Sequence, residues 1–169
     1  MNSDELLDIV SVDDVVVGQE FRSVIYQEKR SCFRVINAFV CNSQGELWIP
    51  RRHESKKLFP LYLDASVGGH VMSGESYEEA FFRETQEELG WKVLPQEYEL
   101  VGRLTPERHQ TSAFMNVYLI RSDETPDYNR KDFGEFYWLT VDGFFSKLKC
   151  GDQAKSDLPI IINEIKAKL

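Results

Sequence analysis

Three glutamates, Glu84, Glu87 and Glu88, stand at positions i, i+3 and i+4 of one segment. In an α-helix, residues at these spacings share a face. Three like charges on one face repel one another, and carboxylate oxygens are the ligands that a hard divalent cation such as Mg²⁺ prefers. The segment therefore indicates a divalent metal site, and a solvated acidic helix face is the alternative.

The segment around these glutamates carries the start and stop signals of a helix. Ser76 and Glu79 have the spacing of a capping box, and Gly90 can adopt the left-handed conformation that ends a helix. The helix opens with an apolar stripe made of Tyr77, Ala80 and Phe81. The three glutamates continue this stripe in the following turns, on the side that packs against the rest of the domain. This placement favours the metal site over the solvated face.

The residues around this helix extend the pattern to Gly69-x5-Glu75-x7-Arg83-Glu84-Thr85-x-Glu87-Glu88-x-Gly90-Trp91. It resembles the signature of the Nudix hydrolase family, Gly-x5-Glu-x7-Arg-Glu-U-x-Glu-Glu-x-Gly-U, in which U is aliphatic. Every fixed position matches. The two departures, Thr85 and Trp91, both fall on U positions and concern packing more than metal chemistry.

The resemblance implies a fold, a reaction and a cofactor. The fold is a Nudix-type α/β/α sandwich with a mixed β-sheet, and the reaction is cleavage of a diphosphate linkage by a metal-activated water that attacks phosphorus. The cofactor is Mg²⁺, with Mn²⁺ as the alternative. The implied substrate is a small-molecule diphosphate, such as a nucleoside diphosphate or a derivative of one. A homodimer is common among such proteins, and the sequence leaves the oligomeric state open.

The resemblance also assigns residues. Glu84, Glu87 and Glu88 match the metal-binding and catalytic carboxylates, and the backbone carbonyl of Gly68 matches an additional metal ligand. The remaining matched positions, Glu75, Arg83 and Gly69, are expected to support the site. Arg83 is predicted to point away from the face of Glu84 and Glu88 and to pair with Glu75, which would fix the loop against the helix.

Residues outside the signature are candidates for proton transfer and for phosphate binding. In the family, the carboxylate that takes the proton of the water varies, and Glu135 and Glu107 are the candidates in this chain. Four cations follow a predicted strand closely: Arg51, Arg52, Lys56 and Lys57. They could bind the non-reacting phosphate or form a solvated loop.

Two further functions are compatible with parts of the sequence. The stretches 51–57 and 65–70 are also similar to isopentenyl-diphosphate isomerase. That family uses a cysteine where this chain has Gly68, and metal-binding histidines where it has Tyr26 and Phe33. His70 matches a third histidine. The isomerase chemistry is therefore expected to be absent. A noncatalytic diphosphate-binding module is the other alternative, although such modules usually lose the signature carboxylates.

The elements that must position these residues indicate an α+β fold. Strands are predicted at 8–12, 15–18, 21–26, 34–41, 46–50, 61–67, 99–105, 113–121 and 135–140, and terminal helices at 141–149 and 157–169. Strands, one central helix, further strands and two helices do not alternate as they would around a parallel sheet. We expect one domain over residues 1–169, with an N-terminal β-hairpin extension over about residues 1–30.

Composition excludes several classes of function. The net charge of −8 disfavours binding to a nucleic-acid polymer, and an acidic site would need metal ions to hold a polyanionic substrate. Apolar runs fall short of the roughly 20 residues that cross a bilayer. The three cysteines show no Cys-x-x-Cys spacing, and the acidic start is unlike a secretory signal. A cytoplasmic enzyme is expected.

Overall fold

The computed structural model describes residues 4–169. The strands are β1 (Leu6–Val10), β2 (Val16–Phe21), β3 (Arg34–Cys41), β4 (Leu47–Arg52), β5 (Val67–His70), β6 (Tyr98–Leu104), β7 (Phe114–Arg121) and β8 (Phe133–Leu139). The helices are α1 (Arg22–Gln27), α2 (Tyr77–Leu89), α3 (Pro106–His109), α4 (Val141–Lys149) and α5 (Leu158–Ile165), followed by a 3₁₀ turn at Lys166–Lys168. Within residues 4–169, no helix is long and apolar enough to span a membrane.

The strands form a two-stranded hairpin and one mixed sheet. β1 and β2 pair in antiparallel fashion, which confirms the predicted N-terminal hairpin. The larger sheet has the order β6-β7-β3-β4-β8, and β5 pairs with the first half of β3. β3 and β7 run parallel, whereas the other pairs are antiparallel. The mixed sheet is thus confirmed.

Strand β3 is buried on both faces, which makes it the centre of the sandwich. Ile36, Ala38 and Val40 belong to one apolar cluster, which includes Ala80 and Phe81 of α2. The alternate residues Phe39 and Cys41 belong to a second cluster on the opposite face, which includes side chains of α4 and α5. Because side chains of a strand alternate between faces, a near-continuous apolar run fits a strand covered on both sides. Only Asn37 interrupts this run with a buried polar side chain.

Two of the predicted strands are wrong. Residues 22–27 form helix α1, in which Ile25 packs against Leu7 and Phe33, and the Arg22 guanidinium lies 5.4 Å from the ring of Tyr26 one turn later. This tertiary contact overrides the β propensity of the segment. Of residues 61–67, only Val67 lies in a strand. The positive φ of Leu61, +64°, interrupts the extended conformation there.

The hairpin is joined to the loop that precedes α2. The Asp8 carboxylate accepts hydrogen bonds from the Ser73 hydroxyl at 2.8 Å and from the Gly74 N–H at 3.1 Å. The Ser73 N–H also donates to the Leu6 carbonyl at 2.9 Å. The N-terminal extension therefore supports the loop between β5 and α2 directly.

Candidate active site

Helix α2 begins and ends where the sequence predicts. The Ser76 hydroxyl accepts from the Glu79 N–H while the Glu79 carboxylate accepts from the Ser76 N–H, and Gly90 has the left-handed φ of +67°. Thr85 is buried, and its hydroxyl donates to the Phe81 carbonyl at 2.7 Å, so this departure from the signature leaves no unpaired polar group. The helix is therefore anchored at both ends and along its packed face.

Strand β5 lies against the acidic face of α2. A Cβ atom on Gly69 would lie only 2.0 Å from Oε1 of Glu84, so a side chain at position 69 would displace the Glu84 carboxylate. The Gly68 N–H donates to Oε2 of Glu88 at 3.0 Å. The backbone of residues 68 and 69 thus faces two of the three signature carboxylates.

The three carboxylates differ in exposure and charge. Glu84 and Glu88 are half-buried, whereas 60% of the Glu87 side chain is exposed. Burial raises the pKa of Glu88 well above its ordinary value; the Gly68 N–H opposes this effect, and the charge of Glu84 adds to it. Burial also raises the pKa of Glu84, against the opposing effect of Arg83. The site therefore holds more negative charge than its surroundings neutralise.

Arg83 connects the loop to the helix. Its guanidinium donates to both carboxylate oxygens of Glu75, at 2.8 and 2.9 Å, and to the His70 carbonyl at 2.9 Å. The predicted ion pair with Glu75 is present. The prediction that Arg83 points away from Glu84 is wrong, because its Nη1 donates to Oε1 of Glu84 at 2.6 Å. The long Arg83 side chain thus reaches two carboxylates, that of Glu75 in the loop before the helix and that of Glu84 on the helix itself.

The signature residues line a cleft of about 460 Å³. Gly68, Gly69, Glu84, Glu87 and Glu88 all contribute to it. Cations also line the cleft, each paired with an acid: Arg52 with Asp64, Lys155 with Asp64, and Lys56 with Asp132. The sequence predicted Arg52 and Lys56 for this role. It offered no signal for Lys155, Asp64 or Asp132, which reach the cleft only through the fold.

The other two predicted cations lie elsewhere. Among the described residues, the lining of the cleft does not include Arg51 or Lys57. Arg51 instead donates to Glu135 at 2.5 Å, to Asp152 at 2.8 Å and to the Tyr137 hydroxyl at 3.1 Å. Successive residues of a strand point to opposite faces, so only one of the two neighbouring arginines of β4 can face the cleft.

The two carboxylates predicted to transfer the proton are also outside the cleft. Glu135 accepts hydrogen bonds from the Tyr137 hydroxyl at 2.7 Å and from Arg51, and these two partners lower the pKa of Glu135. Glu107 is exposed on α3. Neither residue is among the described residues that line the cleft.

A third part of the cleft comes from the N-terminal extension. His70 of β5 lies 3.3 Å from the Glu5 carboxylate through Nδ1 and 2.9 Å from the Tyr26 hydroxyl through Nε2. Its ring is stacked on Phe33, with ring centroids 5.8 Å apart. Tyr26, Phe33 and His70 are the positions compared above with the isomerase histidines. They do lie together, but only His70 offers an imidazole.

The donors present fit a hard divalent cation in type but not yet in arrangement. Within residues 4–169, no three side chains of histidine, cysteine, aspartate or glutamate converge as a preformed metal cage. Glu84 accepts from Arg83, and Glu87 extends into solvent. The oxygen donors and the uncompensated negative charge are nevertheless those that Mg²⁺ binds.

Comparison with known proteins identifies relatives over nearly the whole chain. A family model described as NUDIX domain matches residues 33–158. An uncharacterized Nudix hydrolase of Nostoc sp. is 53% identical over 154 residues, which cover 91% of each chain. A Nudix hydrolase of Deinococcus radiodurans is 46% identical over 162 residues, which cover 95% of this chain and 93% of the relative.

Solved structures agree with the sequence relatives. The crystal structure of a Deinococcus radiodurans protein superimposes with a TM-score of 0.87 and 43% identity, over 95% of this chain and 99% of that one. A MutT protein of Methanosarcina mazei has a TM-score of 0.62 at 19% identity, over 80% of this chain and 93% of that one. The second likeness concerns the fold alone.

Proposed function

Because this chain belongs to the Nudix hydrolase family, whose members cleave diphosphate bonds, we propose that it is a Mg²⁺-dependent hydrolase of a nucleoside diphosphate or a nucleoside diphosphate derivative. The observation that carries the proposal is the cleft itself. Glu84, Glu87, Glu88 and Gly68 line it together with the paired cations Arg52, Lys56 and Lys155. The three free cysteines fit the reducing, cytoplasmic compartment that we propose for the enzyme.

Glu84, Glu87, Glu88 and the carbonyl of Gly68 would hold the metal. When bound, Mg²⁺ neutralises phosphoryl oxygens and lowers the pKa of a coordinated water. The site carries negative charge that a metal cation would neutralise. Two half-buried carboxylates face each other without a cation that compensates both, and Gly69 lets the loop approach Glu84 closely. The buried acids thus favour cation binding at the point where a diphosphate must lie.

The other residues of the site orient and bind. Arg83 holds Glu84 and the loop carboxylate Glu75 with one guanidinium, which limits the positions available to Glu84. Arg52 and Lys56 line the same cleft as the glutamates and are suited to the non-reacting phosphate. Their partners Asp64 and Asp132 keep them in place before substrate binds. Since Glu135 is bonded to Arg51 away from the cleft, we do not assign it the proton of the attacking water.

The experiment that tests the proposal is a substrate panel with two matched variants. Release of phosphate or phosphomonoester is measured with nucleoside di- and triphosphates, nucleotide sugars, dinucleotides and isopentenyl diphosphate, with and without Mg²⁺. Glu88→Gln removes a proposed metal ligand. Glu78→Gln is its control on the same helix, where the exposed side chain contacts only the Tyr98 hydroxyl among the described hydrogen-bond partners.

We expect Mg²⁺-dependent hydrolysis of a nucleotide that Glu78→Gln retains and Glu88→Gln loses by at least about a hundredfold. Isomerisation of isopentenyl diphosphate without hydrolysis of any compound in the panel would contradict the proposal. Equal turnover in the wild type and Glu88→Gln would refute the assigned role of Glu88.

A further inference from the structure

Asn37 is a buried amide in the middle of the central strand. Only 8% of it is exposed, and its neighbours Ile36 and Ala38 are fully buried. Within residues 4–169, the one side-chain hydrogen bond recorded for it runs from Nδ2 to the sulfur of Met115, at 3.7 Å. A thioether is a weak acceptor, so most of the hydrogen-bonding capacity of the amide is unused. Its Oδ1 accepts no hydrogen bond among the described residues and is open to a partner in the cleft.

The position of Asn37 directs this amide into the cleft. Asn37 pairs in register with Gly68, and a Cβ atom on Gly68 would lie 3.4 Å from Oδ1 of Asn37. The Asn37 amide therefore lies next to Gly68, on the face of the sheet where a side chain at position 68 would project. Asn37 lines the cleft together with the signature glutamates.

Apolar side chains of one core cluster line the cleft beside Asn37. Met115, Leu158 and Ile161 line the same cleft, and each is 2% exposed. Ser112 and Asp157, which are close in sequence to Met115 and Leu158, form hydrogen bonds with each other. The hydroxyl and the N–H of Ser112 both donate to the Asp157 carboxylate. Asn37 is thus the buried polar group on this side of the cleft whose partners are incomplete.

We infer that Asn37 binds the hydrogen-bonding edge of a nucleobase and determines which base the enzyme prefers; this inference rests on the proposed function. A nucleobase presents apolar ring faces and an edge of donors and acceptors, which matches the apolar side chains beside an amide that can both donate and accept. An alkyl chain would leave the amide unpaired.

The test compares base preference in variants of Asn37. Asn37→Asp keeps the shape and removes the donor, and Asn37→Leu removes both hydrogen-bonding groups. The control is Asn116→Asp on the neighbouring strand β7, where Asn116 pairs in register with Ile36 and so lies on the opposite face of the sheet. The measured quantity is kcat/KM for the diphosphates of adenosine, guanosine, cytidine and uridine at saturating Mg²⁺.

We expect the wild type and Asn116→Asp to share one order of preference. In Asn37→Asp and Asn37→Leu, the ratio between the best and the worst base should change by at least tenfold, since a polar site discriminates strongly against a ligand that leaves it unpaired. Repulsion between the added charge of Asn37→Asp and the diphosphate is common to the four substrates, so it cancels in the ratio, and what remains is the effect on the base. Thermal melts establish whether each variant is folded. If Asn37→Leu does not fold, the comparison of Asn37→Asp with the wild type is sufficient for the test.

Three other outcomes are informative. If the wild type hydrolyses nucleotides and both Asn37 variants keep its base ratios, the role of Asn37 is refuted and the proposed function stands. If the wild type hydrolyses the four nucleotides with equal kcat/KM, Asn37 does not determine a base preference, and the inference is also overturned. If Mg²⁺-dependent hydrolysis occurs only with diphosphates that lack a base, the nucleotide substrate of the proposed function is refuted.

Discussion

Replacement of Glu88 by glutamine should stabilise the metal-free protein and abolish its activity. The Glu88 side chain is half-buried beside Glu84, and burial raises its pKa well above the ordinary value. Glutamine has the same shape and can still accept the hydrogen bond of the Gly68 N–H. The substitution therefore removes a poorly compensated charge and little else, whereas the proposed metal loses a ligand.

The magnitude follows from the environment of the carboxylate. Replacement of buried charged groups by uncharged residues of similar shape often stabilises proteins by about 1 to 4 kcal/mol. Because Glu88 is only half-buried, solvent in the cleft screens its repulsion, and we take the lower limit of about 1 kcal/mol. In a domain of this length, that change in unfolding free energy corresponds to a rise of about 2 to 4 °C in Tm.

The pH dependence of stability provides a second test of whether Glu88→Gln stabilises the metal-free protein. The pKa of Glu88 is higher in the folded than in the unfolded protein, so the folded state loses stability as the pH rises from the ordinary carboxyl range through the folded pKa. The advantage of Glu88→Gln should therefore be small near pH 4 and larger at pH 8. Urea unfolding followed by tryptophan fluorescence, with a chelator present, measures it at both values.

Glu87→Gln is the matched control, because 60% of that side chain is exposed and its charge is already solvated. We expect its unfolding free energy to stay within about 0.5 kcal/mol of the wild type. Addition of Mg²⁺ should stabilise the wild type, by about 2.7 kcal/mol at a hundredfold excess over Kd, and should stabilise Glu88→Gln much less. A Glu88→Gln variant that is less stable than the wild type at pH 8 without metal, or that responds fully to Mg²⁺, would refute the reasoning.

Three further predictions concern single residues. Gly69→Ala should fold but lose at least about tenfold in turnover, because its Cβ would lie 2.0 Å from the Glu84 carboxylate, whereas Gly68→Ala, whose nearest contact would be 3.4 Å, should retain most activity in the same assay. Glu135→Gln should change kcat by less than about threefold, since the carboxylate lies outside the cleft, and a hundredfold loss would restore it as a proton acceptor. Ser66→Ala should lower the unfolding free energy by about 1 to 3 kcal/mol in urea titrations, because the buried hydroxyl bridges the Val40 N–H and the Trp48 carbonyl.

The sequence by itself determined the helix that carries the chemistry. Its capping box, its terminal Gly90 and the spacing of its glutamates depend on residues within one or two turns of one another. The ion pair between Arg83 and Glu75 follows from the same local segment. Such features are encoded locally because helical period and capping hydrogen bonds connect near neighbours.

Tertiary structure decided which other residues meet that helix. Arg51 and Arg52 are adjacent and chemically alike, yet only Arg52 lines the cleft, because the register of β4 against β8 sets which face each presents. Lys155 reaches the same cleft from the far end of the chain. Residues 22–27 became a helix because Ile25 packs into the apolar cluster beside β1.

Asn37 combines the two levels. The sequence shows a polar residue inside an apolar strand, but not whether its amide is satisfied. Its partners are set by the pairing of β3 with β5 and β7, which brings Gly68 and Met115 to its side. Contacts between residues far apart in sequence depend on packing over the whole domain. For this reason, local sequence patterns could not predict the surroundings of Asn37 in the cleft.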